Sequence, residues 1–447
     1  MKLGVVGLGY AGLCTAACFA RKFEVIGIDV DRGRVSQLNR GEVPIHEEGL
    51  PSLLKSGITG RTLSFTTDYD SLLGTDIVFI AVGTPSKSDG AIDLSQVTTA
   101  SALIGRQIAR SKKTRLIVIK STVTPGTATT VVKPLLEKEA GKSCGDGFGL
   151  CSNPEFLREG AAIEDTLRPD RVVIGPFDER SGRAIKSFYR RFYGPRSPKM
   201  VETTPENAEL IKYASNTFLA TKISFVNFIA RICETLPGAD VGDVAFGMGL
   251  DPRIGRQYLE AGPGFGGACF PKDSRALGAF TLQRGLDGSL LRSVLEINDT
   301  QPDWIVSSVE KALGSIRGKD VAILGVAFKE ESDDVRESRA IVLAKRLISK
   351  GAQVRITDPK AMEGARRELG KGAEYYDDPR DCIRGADAAI VMVAWEKFKK
   401  LKPGDFVRLM RTPVLFDARR IYDAAEYGLG ALKFMAIGRG DLPKVRG

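Results

Sequence analysis

Two stretches of this chain set reactive residue types at spacings that suit chemistry. Residues 262–273 read GPGFGGACFPKD. Four glycines in the first six positions make a loop whose backbone can fold around a ligand, and Pro271 suits the first turn of a helix beginning beside Cys269. A thiol at that point feels the helix N-terminus and Lys272, both of which favour the nucleophilic thiolate. Asp273, four residues on, shares a helix face with Cys269. The alternative is a buried, inert cysteine, which describes Cys14 or Cys18 well. The second stretch is Gly7-x-Gly9-x-x-Gly12, which follows a short apolar strand and opens a small-residue helix. A second strand then ends in Asp29, 17 residues after the last glycine. In that context the glycines admit a pyrophosphate to a helix N-terminus and the acid bonds ribose hydroxyls, which is the pattern of dinucleotide binding. A tight structural turn is the alternative. An acid at Asp29 repels a 2′-phosphate, so NAD is favoured over NADP.

Three further groups have a positional argument. Lys212 and Asn216 lie four apart on a predicted helix and project from one face; a solvated Lys-Asn pair is the alternative. Thr122, in KSTV (120–123), and Glu155, in NPEFLREG (153–160), each follow a strand. Strand C-terminal ends are where ligands bind in open α/β sheets, although solvated loop residues would look the same. The chain has a single histidine, His46. A Cys-His or Ser-His-Asp site could be built only around it, and a multi-histidine metal site is impossible. No metal is expected, and the chemistry must run mainly on Lys, Asp, Glu, Cys and backbone dipoles.

These groups need a scaffold, and the apolar pattern supplies one. Strands at 2–6, 24–29, 76–82 (DIVFIAV) and 114–119 (TRLIVI) alternate with helical segments, which predicts a parallel doubly wound sheet. From Thr203 the pattern becomes one long helix, with Thr204 as N-cap and Pro205 at its first position. Along it Ile211, Ala214, Phe218, Phe225, Ile229, Ile232 and Leu236 recur at mostly three- to four-residue steps, until Pro237-Gly238 stops it. Such a helix reads as a spine or a dimer interface. After residue 319 the strand rhythm restarts at 320–324, 353–358, 388–394 and 413–417, with a helix around 338–350. The expected fold is α/β, with two Rossmann-like doubly wound domains, 1–200 and 301–447, joined by a helical middle region at 201–300.

Composition narrows the function classes. At roughly 150 residues per domain, 447 residues suit about three domains. Hydrophobic residues at 43% and charged residues at 27% are ordinary for a globular chain. The net charge of +10 is scattered, so an anionic small molecule suits it better than nucleic acid. Seven cysteines without CxxC spacing point to reduced thiols and a cytoplasmic protein. Residues 3–20 are uncharged and imitate a signal or membrane span, but their four glycines belong to the turn described above, so no membrane partner is expected.

Taken together, the motifs resemble the UDP-glucose/GDP-mannose dehydrogenase family over residues 1–420: GLGYAG, VGTP (82–85), KSTV, SNPEFLREGAAIED, AELIKYASN, DPRIG, GPGFGGACFPKD, GVAFK and DARR. The resemblance implies two NAD-linked oxidations that carry a C6 primary alcohol of a nucleotide sugar to a carboxylate through an aldehyde held on cysteine. It implies NAD on the first domain, the nucleotide sugar on the second, and a homodimer formed through the central helix. By position it makes Cys269 the nucleophile that forms a thiohemiacetal and then a thioester. Lys212 and Asn216 would stabilise the oxyanion, Asp273 and Thr122 would position a water, and Glu155 would assist thioester hydrolysis. Gly7, Gly9, Tyr10, Ala11, Gly12, Asp29, Arg34, Val82, Gly83, Thr84, Pro85, Ser121, Thr122, Glu159 and Arg336 match NAD positions. Glu155, Phe156, Leu157, Arg158, Lys212, Asn216, Arg253, Tyr258, Gly264, Gly266, Phe328, Lys329 and Arg419 match substrate positions, with Arg253 reaching the substrate of a neighbouring subunit. Ala268 stands where many members have serine, and Ala418 interrupts the usual DGR. The CFPKD and NPEFLREG wording leans toward UDP-glucose, although GDP-mannose and UDP-aminosugar dehydrogenases share much of the pattern. Rival readings are a two-electron hydroxyacid dehydrogenase using Lys212 alone and an NAD-responsive binding protein without turnover. His46, in PIHEEGL, lies outside every one of these motifs.

Overall fold

The computed structural model describes residues 1–440, and the chain forms two compact units, Met1–Ser215 and Asn216–Gly447. In the first, strands β1 (Lys2–Val6), β2 (Glu24–Ile28), β3 (Leu63–Thr66), β4 (Ile77–Ile80), β5 (Leu116–Ile119), β6 (Gly149–Ser152), β7 (Arg171–Pro176) and β8 (Lys199–Glu202) make one sheet in the order 3-2-1-4-5-6-7-8. Every residue of IVFI in β4 and LIVI in β5 is buried, as a sheet covered by helices on both faces requires. One face packs Phe19, Phe79, Phe188 and Phe192 into an aromatic cluster, with the Phe19 and Phe188 rings edge-on at 5.0 Å. The other packs Val97, Ile104, Ile108 and Leu136. The expected parallel sheet holds through β6, but β7 pairs with β6 antiparallel and β8 then runs parallel to β7. The connection between β6 and β7, residues 153–170, carries the six-residue helix Ala162–Leu167.

The second unit carries β9 (Asp320–Leu324), β10 (Gln353–Thr357), β11 (Ala373–Tyr375), β12 (Ala388–Val391), β13 (Val414–Asp417) and β14 (Lys433–Ala436), all parallel, in the order 11-10-9-12-13-14. In both sheets the order reverses beside the first strand, between β1 and β4 and between β9 and β12. That is where the loops after the strands part and open a crevice.

The helix Pro205–Glu234 starts as its sequence predicts, with Thr204 Oγ1 accepting from the Asn207 N–H at 3.2 Å. Its apolar stripe faces outward: Phe218 is 65% exposed, and Phe225, Phe228 and Ile232 are each more than two-fifths exposed. The polar face bearing Glu209, Lys212, Asn216 and Asn227 is the buried one. Among the described residues no helix is long and apolar enough to cross a membrane.

Candidate active site

In the first unit the chain leaves β1 through Gly7 at φ +94, whose N–H binds the Ile28 carbonyl at 2.8 Å. A Cβ at Gly7 would meet the Ala81 backbone at 2.7 Å, and one at Gly12 would sit 1.9 Å from the Gly7 carbonyl oxygen. Those two glycines let the turn and the helix Tyr10–Phe19 close onto the sheet. Gly9 differs, because nothing lies within 4 Å of where its Cβ would be, and it caps that helix without any side chain bonding the first amides. The open backbone at a helix N-terminus fits a pyrophosphate. Asp29 lies beside it, its Oδ2 accepting from the Leu8 N–H at 2.8 Å and its Oδ1 from Asp31 at 3.0 Å, with Arg34 at 3.6 Å. The ends of β4 and β5 are tied together: Ser121 Oγ donates to the Val82 carbonyl at 2.7 Å, and Thr84 Oγ1 to the Thr122 carbonyl at 2.9 Å. Gly83 N–H binds Gln96 at 3.2 Å, and Pro85 O accepts from Asp93 at 2.8 Å.

A charged cluster lies in the same unit. Glu155 Oε1 pairs with Lys212 Nζ at 2.9 Å, both nearly buried, and its Oε2 accepts from the Leu157 N–H at 2.6 Å. Burial alone would raise the Glu155 carboxyl, but the Lys212 ammonium and the Leu157 amide outweigh it and hold the group below the usual carboxylate range. The Phe156 ring lies 4.3 Å from the Arg171 guanidinium and 5.3 Å from Lys212 Nζ. Arg158 forms a bidentate pair with Asp165, at 2.6 Å at its shortest. Glu159 is felt electrostatically by Cys14 on the helix of the glycine turn.

In the second unit Cys269 is the N-cap of the helix Phe270–Gln283, its carbonyl accepting the Asp273 N–H at 2.8 Å. Asp273 is almost wholly buried and held on both oxygens, by Asn216 Nδ2 at 2.7 Å and Lys272 Nζ at 2.5 Å. Lys272 therefore forms an ion pair with Asp273 beside the thiol. The glycine loop before it is packed by protein. A Cβ at Gly264 would meet Asn298 Oδ1 at 2.5 Å, and one at Gly266 the Glu337 carbonyl at 2.5 Å. A Cβ at Gly267 would strike the Phe328 ring at 2.8 Å. Asn298 holds both the N–H and the C=O of Phe265, while Asn227 and Gln301 hold the two polar groups of Gly262. Close packing thus already accounts for Gly264 and Gly266, two glycines that the resemblance assigns to the substrate. Arg419 Nε donates to the Met392 carbonyl at 2.8 Å and its Nη2 to the Phe328 carbonyl at 3.4 Å, on the loops after β12 and β9 that flank the order reversal. Lys329 follows Phe328 on that β9 loop, its Nζ 5.8 Å from the Phe328 ring. Arg336 pairs with Asp334 at 2.6 Å, Tyr258 takes a left-handed backbone at φ +64 near Phe270, and Arg253 lies on the surface paired with Asp251. Five cysteines, Cys14, Cys18, Cys151, Cys233 and Cys382, are buried, whereas Cys144 and Cys269 are half-buried. Burial pushes the Cys144 thiol up to about 11 and Cys18 to about 12. Among the described residues no group of three or more His, Cys, Asp or Glu side chains is set to hold a metal.

Models of one family cover these elements in order: its NAD-binding domain matches residues 1–193, its central domain 206–300 and its UDP-binding domain 322–424. The chain belongs to the UDP-glucose/GDP-mannose dehydrogenase family. It is 41% identical to a UDP-glucose 6-dehydrogenase of Haloferax volcanii over 95% of this chain and 98% of that one. A solved UDP-glucose dehydrogenase from Pyrobaculum islandicum superposes with a TM-score of 0.90 at 40% identity, covering 98% of each chain. A UDP-D-ManNAc dehydrogenase from Pyrococcus horikoshii gives 0.86 at 27% identity, covering 99% and 100%. The chain is thus an NAD-dependent dehydrogenase of this family, and the open Gly9 backbone with Asp29 beside it fits that cofactor.

Among the buried charges to which the resemblance assigns no role are Glu47, Glu209 and Lys120, the last two inside AELIKYASN and KSTV. Glu47, next to His46, accepts from the Gly160 N–H at 2.8 Å and bonds the Tyr10 hydroxyl, joining the glycine-turn helix to the loop after β6. Glu209 accepts from the Gly126 and Ala128 amides at 2.7 and 3.0 Å and from Ser152 Oγ at 3.0 Å. Burial pushes its carboxyl up to about 7 despite those donors. The available signals were a charge ending an apolar strand for Lys120 and a carboxylate one turn before Lys212 for Glu209.

Proposed function

We propose that this enzyme oxidises UDP-glucose at C6 to UDP-glucuronate in two successive hydride transfers, with the intermediate held covalently on Cys269. The observation that carries the reading is Cys269 as a half-buried helix N-cap one turn from the buried, doubly bonded Asp273. The identity of about 40% over nearly the full length of UDP-glucose 6-dehydrogenases supports the choice of sugar.

NAD supplies the hydride acceptor for both oxidations. The C6 hydroxyl loses a proton and a hydride to give the aldehyde. The Cys269 thiolate adds to the carbonyl carbon, and the oxygen that becomes negative is met by donors from Lys212 and Asn216. Loss of a second hydride from the thiohemiacetal leaves a thioester. Water, oriented by Thr122 and Asp273 and deprotonated with the help of Glu155, displaces the Cys269 sulfur and releases the carboxylate. An ionised Glu155 suits a proton acceptor.

We infer a homodimer from the long helix, whose exposed Phe218, Phe225, Phe228 and Ile232 form an apolar row suited to a second copy. A reducing compartment such as the cytoplasm suits a thiol nucleophile. The test counts NADH by absorbance as UDP-glucose is consumed. Two per sugar are expected, with no acid product from Cys269→Ala. One NADH per sugar, or acid formed by Cys269→Ala at a near-normal rate, overturns the reading.

A further inference from the structure

Lys120 follows β5 directly and is nine-tenths buried, its backbone N–H bonded to the Ile80 carbonyl at 2.8 Å. An ammonium has three protons to place, yet among the described residues its side chain makes one hydrogen bond, to Asn153 Oδ1 at 3.4 Å, and meets no carboxylate within ion-pair distance. Asn153 is itself immobile. Its Oδ1 accepts from the Tyr189 hydroxyl at 2.5 Å, its Nδ2 donates to the Val173 carbonyl at 2.7 Å, and its N–H binds the Ile119 carbonyl at 2.8 Å. Two residues after Asn153 comes Glu155, already paired with Lys212. The first unit thus buries two ammonium groups around one carboxylate and joins only one of them to it. An unpaired charge away from water is strongly unfavourable, so the under-bonded cation calls for a role.

Resting on the reaction proposed above, we infer that Lys120 is a positioning residue for Glu155, the standing second cation that keeps this carboxylate ionised and in place when Lys212 turns from it to the substrate oxyanion. Without Lys120, that turn would leave Glu155 buried with no cation near it. The carboxylate would then take up a proton or hold Lys212 back, and either slows the chemical steps.

The charged and titratable groups acting on Lys120 are Glu155 from the loop after β6, Lys212 from the long helix and Cys151 from β6, while Tyr189 from the helix Glu179–Tyr193 shares its Asn153 partner. Desolvation lowers the ammonium to about 8, with Glu155 opposing that fall and Lys212 adding to it. Lys120 is therefore mostly charged at pH 7 and mostly neutral at pH 9.5, so raising the pH weakens its own contribution in the wild type.

The experiment compares kcat of the full-length enzyme with that of Lys120→Met between pH 6.5 and 9.5. The expected ratio of wild type to variant is about tenfold at pH 7, the scale of one lost charge interaction, shrinking toward one at pH 9.5, with both KM values within about twofold. A ratio independent of pH identifies a merely structural lysine and overturns the inference, as does a ratio near one at pH 7. Lys120→Gln, which retains a polar group for Asn153 but no charge, replaces the methionine variant if that fails to fold and must give the same converging profile. Two NADH per sugar are first verified for the wild type. A wrong reaction shows in that count, whereas a wrong role for Lys120 shows only in the variants.

Discussion

The two sheets of this enzyme carry the same turn after their first strand and put it to different uses. Gly7 and Gly325 have φ of +94 and +95, and each donates its N–H to the end of the neighbouring strand, to Ile28 and Thr357, at 2.8 Å. An aspartate follows each neighbouring strand and binds the turn, Asp29 through Leu8 and Asp358 through Val326 and Ala327. There the likeness stops. After Gly7 the helix begins at Tyr10, so its amides stand at the turn, whereas after Gly325 the next helix begins only at Arg339. Asp29 has one oxygen with a single amide on it, while Asp358 is saturated by the amides of Val326, Ala327, Lys360 and Ala361 and by the Trp395 indole N–H. Strand order and glycine turn define a scaffold. A free helix N-terminus and an acid with spare acceptor capacity turn it into a dinucleotide site.

The sharpest way to break this comparison is to close each turn separately. Gly12→Ala puts a methyl 1.9 Å from the Gly7 oxygen. Overpacking costs about 3 kcal/mol, and the share that falls on the bound turn weakens NAD binding by up to roughly 100-fold, with UDP binding unchanged by calorimetric titration. Gly325→Ala, whose methyl meets Val393 at 2.5 Å, should do the reverse. Loss of both ligands in either variant would show that the turns do not act separately. Next in size is the pair of aspartates. Asp29→Asn loses charge-assisted bonds of about 1.5–3 kcal/mol, so NAD binds at least about tenfold more weakly. Asp358→Asn leaves NAD affinity intact and lowers the melting temperature, because its carboxylate serves five protein donors. A changed NAD affinity in Asp358→Asn would erase the distinction. The smallest effect belongs to Arg34→Ala. Its guanidinium is partly exposed at 3.6 Å from Asp29, and such pairs contribute about 0.5 kcal/mol, or about twofold in NAD affinity, falling further in high salt.

Much of the scaffold is legible in the sequence because it is local. Gly-x-Gly-x-x-Gly, the apolar strands, Thr204-Pro205 and the proline after Cys269 each act within a few residues. The antiparallel turn of β7 is not written in any single element, since its strand reads like its neighbours. The long helix is only half legible for a related reason. Periodicity finds its apolar face, but which face is covered depends on distant partners, and here the covered face bears Glu209, Lys212 and Asn216. Glu47, Lys120 and Glu209 were missed because each is explained by donors or acceptors 33 or more residues away. Lys272 shows the same limit, since its ion pair with the adjacent Asp273 is not announced by adjacency alone. Glu47, the residue after His46, braces the cofactor helix.

The burial of the cysteines has a practical consequence. Five thiols are sheltered from solvent and the sixth, Cys144, is held protonated at neutral pH by its high proton affinity. That leaves Cys269, half-buried at the positive end of a helix, as the preferred target of an alkylating reagent. Brief labelling at neutral pH followed by mass measurement of the intact chain then reads one adduct per competent subunit, so the protein counts its own working sites.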